Sequence, residues 1–241
     1  MSLLTIIGNV AATANVPVPS AIVSSTDASS MQFLRFFNME GVALQKAIDW
    51  QALIKTHTFV TIAAVQQTDG LTEGTTNNFK RMTKTGEVWN DTENLPLFGP
   101  MPSAQWTALR ALSVPGVGQY WRIQNNAMHI YPIRAGMTIT YDYISKYWTG
   151  PTAGSPSAEA ATSDNDVVVF PEDLMEKGIL WRWKQAKGLD YAEEMRNYEL
   201  AKLEYSIYQD GGTKTYSVGD YYEGFGLRSG RERTWPGTVT P

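Results

Sequence analysis

Thr56-His-Thr-Phe-Val-Thr-Ile-Ala-Ala64 decides the fold class, because here β-branched residues recur and side chains alternate as they do along a half-buried strand. The period before it is different. From about Ser29 to Lys55 the apolar residues Phe33, Phe37, Leu44, Ile48 and Ala52 recur at spacings of three and four, which predicts a long helix entered through Thr26-Asp27. Asp49-Trp50 is expected near its end, with the indole as an anchor. Gly41 falls mid-helix, where it costs about 1 kcal/mol against Ala, so close packing is the expected reason for it. A shorter helix precedes this one, capped by Ser2 and burying Leu3, Ile6, Ile7, Val10 and Ala14 until Pro17 and Pro19 stop it. No Lys or Arg precedes Leu3–Ile7 and Gly8-Asn9 breaks the run, so an amphipathic helix fits this stretch better than a signal peptide.

Downstream, Phe79–Met82 and Glu87–Trp89 read as weak strands, and the proline-rich run from Leu95 to Pro102 reads as irregular. Ser103 caps a short helix carrying Trp106. Strands follow at Tyr120–Gln124, Ala127–Ile133 and Met137–Ser145, the first two joined by Asn125-Asn126, a pair that tolerates positive φ. Residues 149–163 hold one charged side chain and no large apolar one, the composition of an exposed, mobile loop. Pro171-Glu172-Asp173 opens another helix that ends near Gly188, and Asp190 caps a last helix running to about Gln209. The expected fold class is α+β: a helical bundle built from both ends of the chain (1–55 and 164–212), an inserted β-rich segment (56–148), the loop 149–163 and an extended C-terminal tail (213–241).

Composition excludes more than it identifies. Lys plus Arg number 20 against 24 Asp plus Glu, so the net charge of −4 argues against a protein built mainly to grip DNA or an anionic membrane. No window reaches the ~18–20 apolar residues of a membrane span, and the expectation is a soluble chain. With no cysteine, disulfide frameworks, thiolate metal sites and thiol nucleophiles are excluded. His57 and His129 lie 72 positions apart without metal-ligand spacing, and both read as partly buried strand histidines. Asp164, Asp166, Glu172 and Asp173 lack the pattern of a calcium loop and read as helix-capping and solvated acids. Gly116-Val-Gly118 is followed by no Lys-Ser/Thr, and no Gly-x-Ser-x-Gly occurs. Paired carboxylates for hydrolysis leave no signature in sequence. The reading is a non-enzymatic chain with no catalytic residue, metal or cofactor.

Two features exceed that bland expectation. Trp181 and Trp183 stand one residue apart on a helix and must point to separate sides, so with Trp50 they are candidates for core or inter-subunit packing. The tail gathers Tyr216, Tyr221, Tyr222, Phe225 and Trp235 with Arg228, Arg231 and Arg233, the residue types enriched at binding hot spots. Asp220, Glu223 and Glu232 dilute its charge, which favours a protein partner over nucleic acid.

Several stretches are familiar as a set. They are Met1-Ser-Leu-Leu-Thr-Ile-Ile7, Asp49-Trp-Gln-Ala-Leu53, Pro96-Leu-Phe-Gly-Pro100 with Gln105-Trp106, Tyr143-Ile-Ser-Lys146, Trp181-Arg-Trp-Lys-Gln-Ala-Lys-Gly-Leu-Asp-Tyr-Ala-Glu193 and Asp210-Gly-Gly212. In this order they resemble the head-to-tail adaptor (connector) proteins of tailed bacteriophages, over most of residues 1–212. The resemblance implies a structural virion protein, assembled in the bacterial cytoplasm as a ring, usually dodecameric, at the head-to-tail interface. It implies docking on the portal above and on a tail nozzle or tail-tube protein below, with DNA passing through unbound during ejection and no membrane contact. Such adaptors carry a C-terminal extension that reaches into the neighbouring ring. The tail from Thr213 has no match in the resemblance, and its aromatics and arginines are expected to meet the portal on the strength of their residue types. Another phage structural subunit (tail tube, baseplate or capsid accessory) and a virion-associated cell-wall hydrolase are the alternatives.

Overall fold

The computed structural model describes residues 1–71, 78–84, 86–112 and 118–209. Within them α1 spans Leu3–Thr13, α2 Ala28–Ala47, α3 Ser103–Leu112, α4 Glu172–Ala186 and α5 Ala192–Gln209. The strands are β1 (Ile54–Val60), β2 (Gln66–Gln67), β3 (Phe79–Met82), β4 (Val88–Asn90), β5 (Leu95–Leu97), β6 (Tyr120–Gln124), β7 (Ala127–Tyr131), β8 (Thr138–Ser145), β9 (Thr149–Gly150) and β10 (Val167–Val168). These five helices and ten strands in three antiparallel sheets, about 39% helix and 23% strand, form a mixed α+β fold and overturn the expected helical bundle with a β-rich insert.

The physical reason lies in how the core is shared. Ile144 of β8, Trp148 and Val168 of β10 are buried in one cluster with Leu3, Ile6, Phe33, Phe37, Leu174, Ile179 and Trp183 of the helices. The helices therefore close on strand residues rather than on one another alone. A second cluster, Phe59, Val88, Leu97, Trp121, Met128, Ile130, Ile139, Tyr141 and Tyr143, fills the sheets. Strand β8 serves both, since Tyr143 and Ile144 point to opposite faces.

β8 is also the centre of the largest sheet. It pairs with β1 along one edge, Ile54 opposite Ile144 through Val60 opposite Thr138, and with β3 and β4 along the other. β5 extends β4, while β2, β7 and β6 make a separate sheet and β9 pairs with β10. Asn125 and Asn126 both adopt positive φ in the β6–β7 turn, as expected for a two-residue hairpin loop.

Two helix boundaries have identifiable causes. α1 starts where Ser2 Oγ accepts from the Thr5 amide, and α2 where Asp27 accepts from the Ser30 amide. α2 stops at Ala47, short of the expected Lys55. Ile48 is extended, Asp49 accepts from the Lys84 amide at 2.8 Å and pairs with Arg81, and the Trp50 indole N–H donates back to the Leu44 carbonyl at 2.9 Å. Those ties turn the chain into the sheet, so Ile54 and Lys55 belong to β1. Gly41 makes room for an indole: a Cβ there would lie 2.3 Å from Trp148 Cη2. Residues 149–163 begin in β9, where Ser157 and Ala158 donate to the Thr149 carbonyl, and return through an Ala161 amide bonded to Asn38. The side chains of 151–155 are exposed.

Candidate interaction surface

α4 is the helix on which α1, α2 and α5 all pack. Its Arg182 donates from Nε (2.9 Å) and Nη2 (2.6 Å) to Oε2 of Glu40 on α2, a carboxylate with 0% exposure. Gly178 allows the approach, because a Cβ there would fall 2.3 Å from Glu40 Cδ. Tyr198 of α5 completes the junction. Burial first, and then the Glu40 charge, hold its phenol above the usual range.

The three tryptophans singled out from sequence sit in this helical layer. Trp183 stacks on Phe33 with centroids 6.0 Å apart. Trp181 faces the other way, against Tyr191 and Tyr198, with the Arg182 guanidinium 4.5 Å over its ring. Trp50 packs between Phe170 and Tyr205. The tail residues Tyr216, Tyr221, Tyr222, Phe225, Arg228, Arg231, Arg233 and Trp235 lie outside the described residues.

The polar groups weighed for chemistry are engaged structurally. His57 is buried, its Nε2 2.7 Å from the Asp69 carbonyl and its ring against Phe59, Tyr141 and Tyr143. His129 lies edge-on to Trp106, and burial, followed by the nearby Arg122 charge, lowers its pKa. Asp164 and Asp166 cap other segments than expected: Asp164 accepts from the Ile22 and Val23 amides, and Asp166 from those of Thr162 and Ser163. Glu172 meets the N-terminal ammonium, and Asp173 accepts from Tyr205 and pairs with Lys177. Among the described residues no three His, Cys, Asp or Glu side chains form a group able to hold a metal ion, and no helix is long and apolar enough to cross a membrane.

What stands out is α5. Tyr198 and Ala201 bury one side of it against α4. On the opposite side Leu200, Leu203 and Ile207 recur at three and four and are 54%, 59% and 47% exposed. A helix apolar on two opposite sides has a second surface to cover. Between that stripe and the end of α2 runs a groove of about 460 Å³, bounded by Ala47, Ile48, Arg196, Leu200, Lys202 and Leu203. The sequence reading missed this stripe, although the spacing that marks it is plain in Leu200, Leu203 and Ile207. No family model matches the chain, and no curated protein matches it.

Proposed function

We propose that this protein is a head-to-tail adaptor of a tailed bacteriophage, a non-enzymatic subunit that assembles with copies of itself between the portal and the tail at the exit of the DNA channel. The carrying observation is α5, whose outer face presents Leu200, Leu203 and Ile207 to solvent in a chain whose His57, Asp164 and Asp166 are engaged by structural partners. Such a face suits a protein that works by docking. The helix leads directly into a segment with five aromatics and three arginines, the side chains that anchor interfaces. The resemblance of the quoted stretches between Met1 and Gly212, taken in their sequence order, supports this class of assembly. The net charge of −4 suits a conduit that lets DNA pass without holding it.

The test is to mix the purified protein with portal rings of a candidate phage and image the product. Rings of this protein capping one end of the portal are expected. Portals that remain bare, or a protein that decorates tail tubes instead, would overturn the reading.

A further inference from the structure

The fold leaves a second exposed stripe, and it differs in character from that of α5. On α2, Met31, Arg35, Met39, Val42 and Lys46 fall on the side opposite Phe33, Phe37 and Leu44, with Met31 and Met39 52% and 46% exposed. The single acid of α2, Glu40, is buried on Arg182. The stripe itself therefore carries Arg35 and Lys46 and no acid, and neither cation has an ion-pair partner among the described residues. The exposed part of α5 leans the other way. Glu193, Glu199 and Glu204 surround its stripe against Arg196 and Lys202, and Lys202 is already paired with Glu199 at 2.6 Å.

We infer that the outer stripe of α5 on one copy docks on the Met31–Met39 stripe of α2 on another copy. Pairing α5 with α5 would set Glu193 and Glu204 beside their own copies with Arg196 alone to offset them, since Lys202 is taken by Glu199. Pairing α2 with α2 would face Arg35 and Lys46 with their own kind; the unlike pairing sets the acid surplus of α5 against the two cations of α2. Shape agrees with charge, since unbranched methionines adapt to the branched leucines and isoleucine. Because the two patches differ, each copy offers one to the copy before it and the other to the copy after it, and a rotation that closes makes a ring. Two short helical stripes bury roughly 1,000 Å², the low end of specific interfaces, so one contact is weak and closure supplies the rest. The inference deepens the adaptor proposal by naming the surfaces between copies and rests on it only for the closed ring.

The absence of cysteine makes the contact directly testable. Leu203→Cys and Met39→Cys are introduced separately in the full chain, and each variant is treated with a short bismaleimide alone and as an equal mixture. A linked dimer several-fold more abundant in the mixture than in either variant alone is expected. Leu203→Cys linking mainly to itself, equal linking in all three samples, or no linking would overturn the inference. Leu203→Glu and Met39→Glu should each lower self-association in sedimentation at unchanged circular dichroism; unchanged association would also overturn it. Portal is absent from these measurements. Bare portals beside specific linking remove the adaptor reading alone, while portal-bound rings without that linking remove this contact alone.

Discussion

Glu40 of α2 and Arg182 of α4 form an ion pair in which one carboxylate oxygen accepts two guanidinium donors, at 2.9 and 2.6 Å, with the carboxylate wholly buried. The pair fixes two helices at the place where α5 also arrives. Its net contribution relative to an apolar pair is small, but removing one partner strands a buried charge. Arg182→Met is therefore expected to cost about 3–5 kcal/mol in urea unfolding, more than Glu40→Gln, which leaves the more exposed arginine unpaired. Combining Glu40→Leu with Arg182→Met should recover a large part of that loss. Equal and additive losses would show that the pair does not act as a unit.

Gly41 tests a contact rather than a charge. Placing Ala there gains about 1 kcal/mol of helix propensity but puts a methyl group 2.3 Å from the indole of Trp148, which is itself held against Phe37 and Phe170. Overpacking of this kind costs about 1–3 kcal/mol, so after the gain in propensity Gly41→Ala should destabilise by up to about 2 kcal/mol. Trp148→Phe in the same chain should reduce the penalty of the alanine, a coupling that thermal unfolding of the four variants would measure.

The sequence made some of this legible and hid the rest for physical reasons. Ser2, Asp27 and the Asn125-Asn126 turn are read correctly because each acts on backbone groups a few residues away. Gly41 announced a close approach, but the partner is an indole over a hundred residues on. The end of α2 was hidden because Leu44 and Ile48 continue a helical spacing, while what stops the helix is the tie from Asp49 to Arg81 and Lys84. Two-residue strands such as β9 and β10 are too short to carry a period. The outer stripe of α5 was masked by its inner one, since apolar residues on both sides leave no single face to read. Asp164 and Asp166 looked like N-terminal acids of α4, and they serve loops that only the tertiary fold brings near.

Alkaline pH should loosen the α4–α5 contact. Tyr205 of α5 donates to Asp173 of α4 at 2.7 Å, and this hydrogen bond, before burial, pushes its phenol from 10.0 up to about 12. A raised folded pKa favours the protonated form, so the stabilisation is complete below pH 10 and is lost as pH rises from there through about 12. Tyr205→Phe is expected to cost about 1 kcal/mol at neutral pH, allowing for solvent at this partly exposed site. It should also flatten part of the fall in stability between pH 10 and 12. An unchanged alkaline profile in the variant would assign that fall to the buried Tyr141 and Tyr198, whose phenols are raised chiefly by desolvation.

The last expectation concerns residues 213–241, which follow α5 in sequence and carry five aromatic residues and three arginines. Among the described residues, the two hydrophobic clusters run no later than Ala201, with Tyr205 packed at their edge. A variant deleted from Thr213 should therefore keep wild-type circular dichroism and a melting temperature within a few degrees. Ordering a segment costs about 1–2 kcal/mol per residue in backbone entropy, so a partner must capture several of Tyr216, Tyr221, Tyr222, Phe225 and Trp235 together to hold it. Arg228, Arg231 and Arg233 supply donors for carboxylates or carbonyls along the same surface. Under the adaptor proposal that surface belongs to the portal, and the deletion should abolish co-sedimentation with portal rings while leaving the α5–α2 linking between copies intact. Single substitutions should grade the effect, Trp235→Ala and Arg231→Ala each weakening attachment by tenfold or more if they are anchors. A truncated protein that binds portals with unchanged affinity would show that the tail is not the anchor.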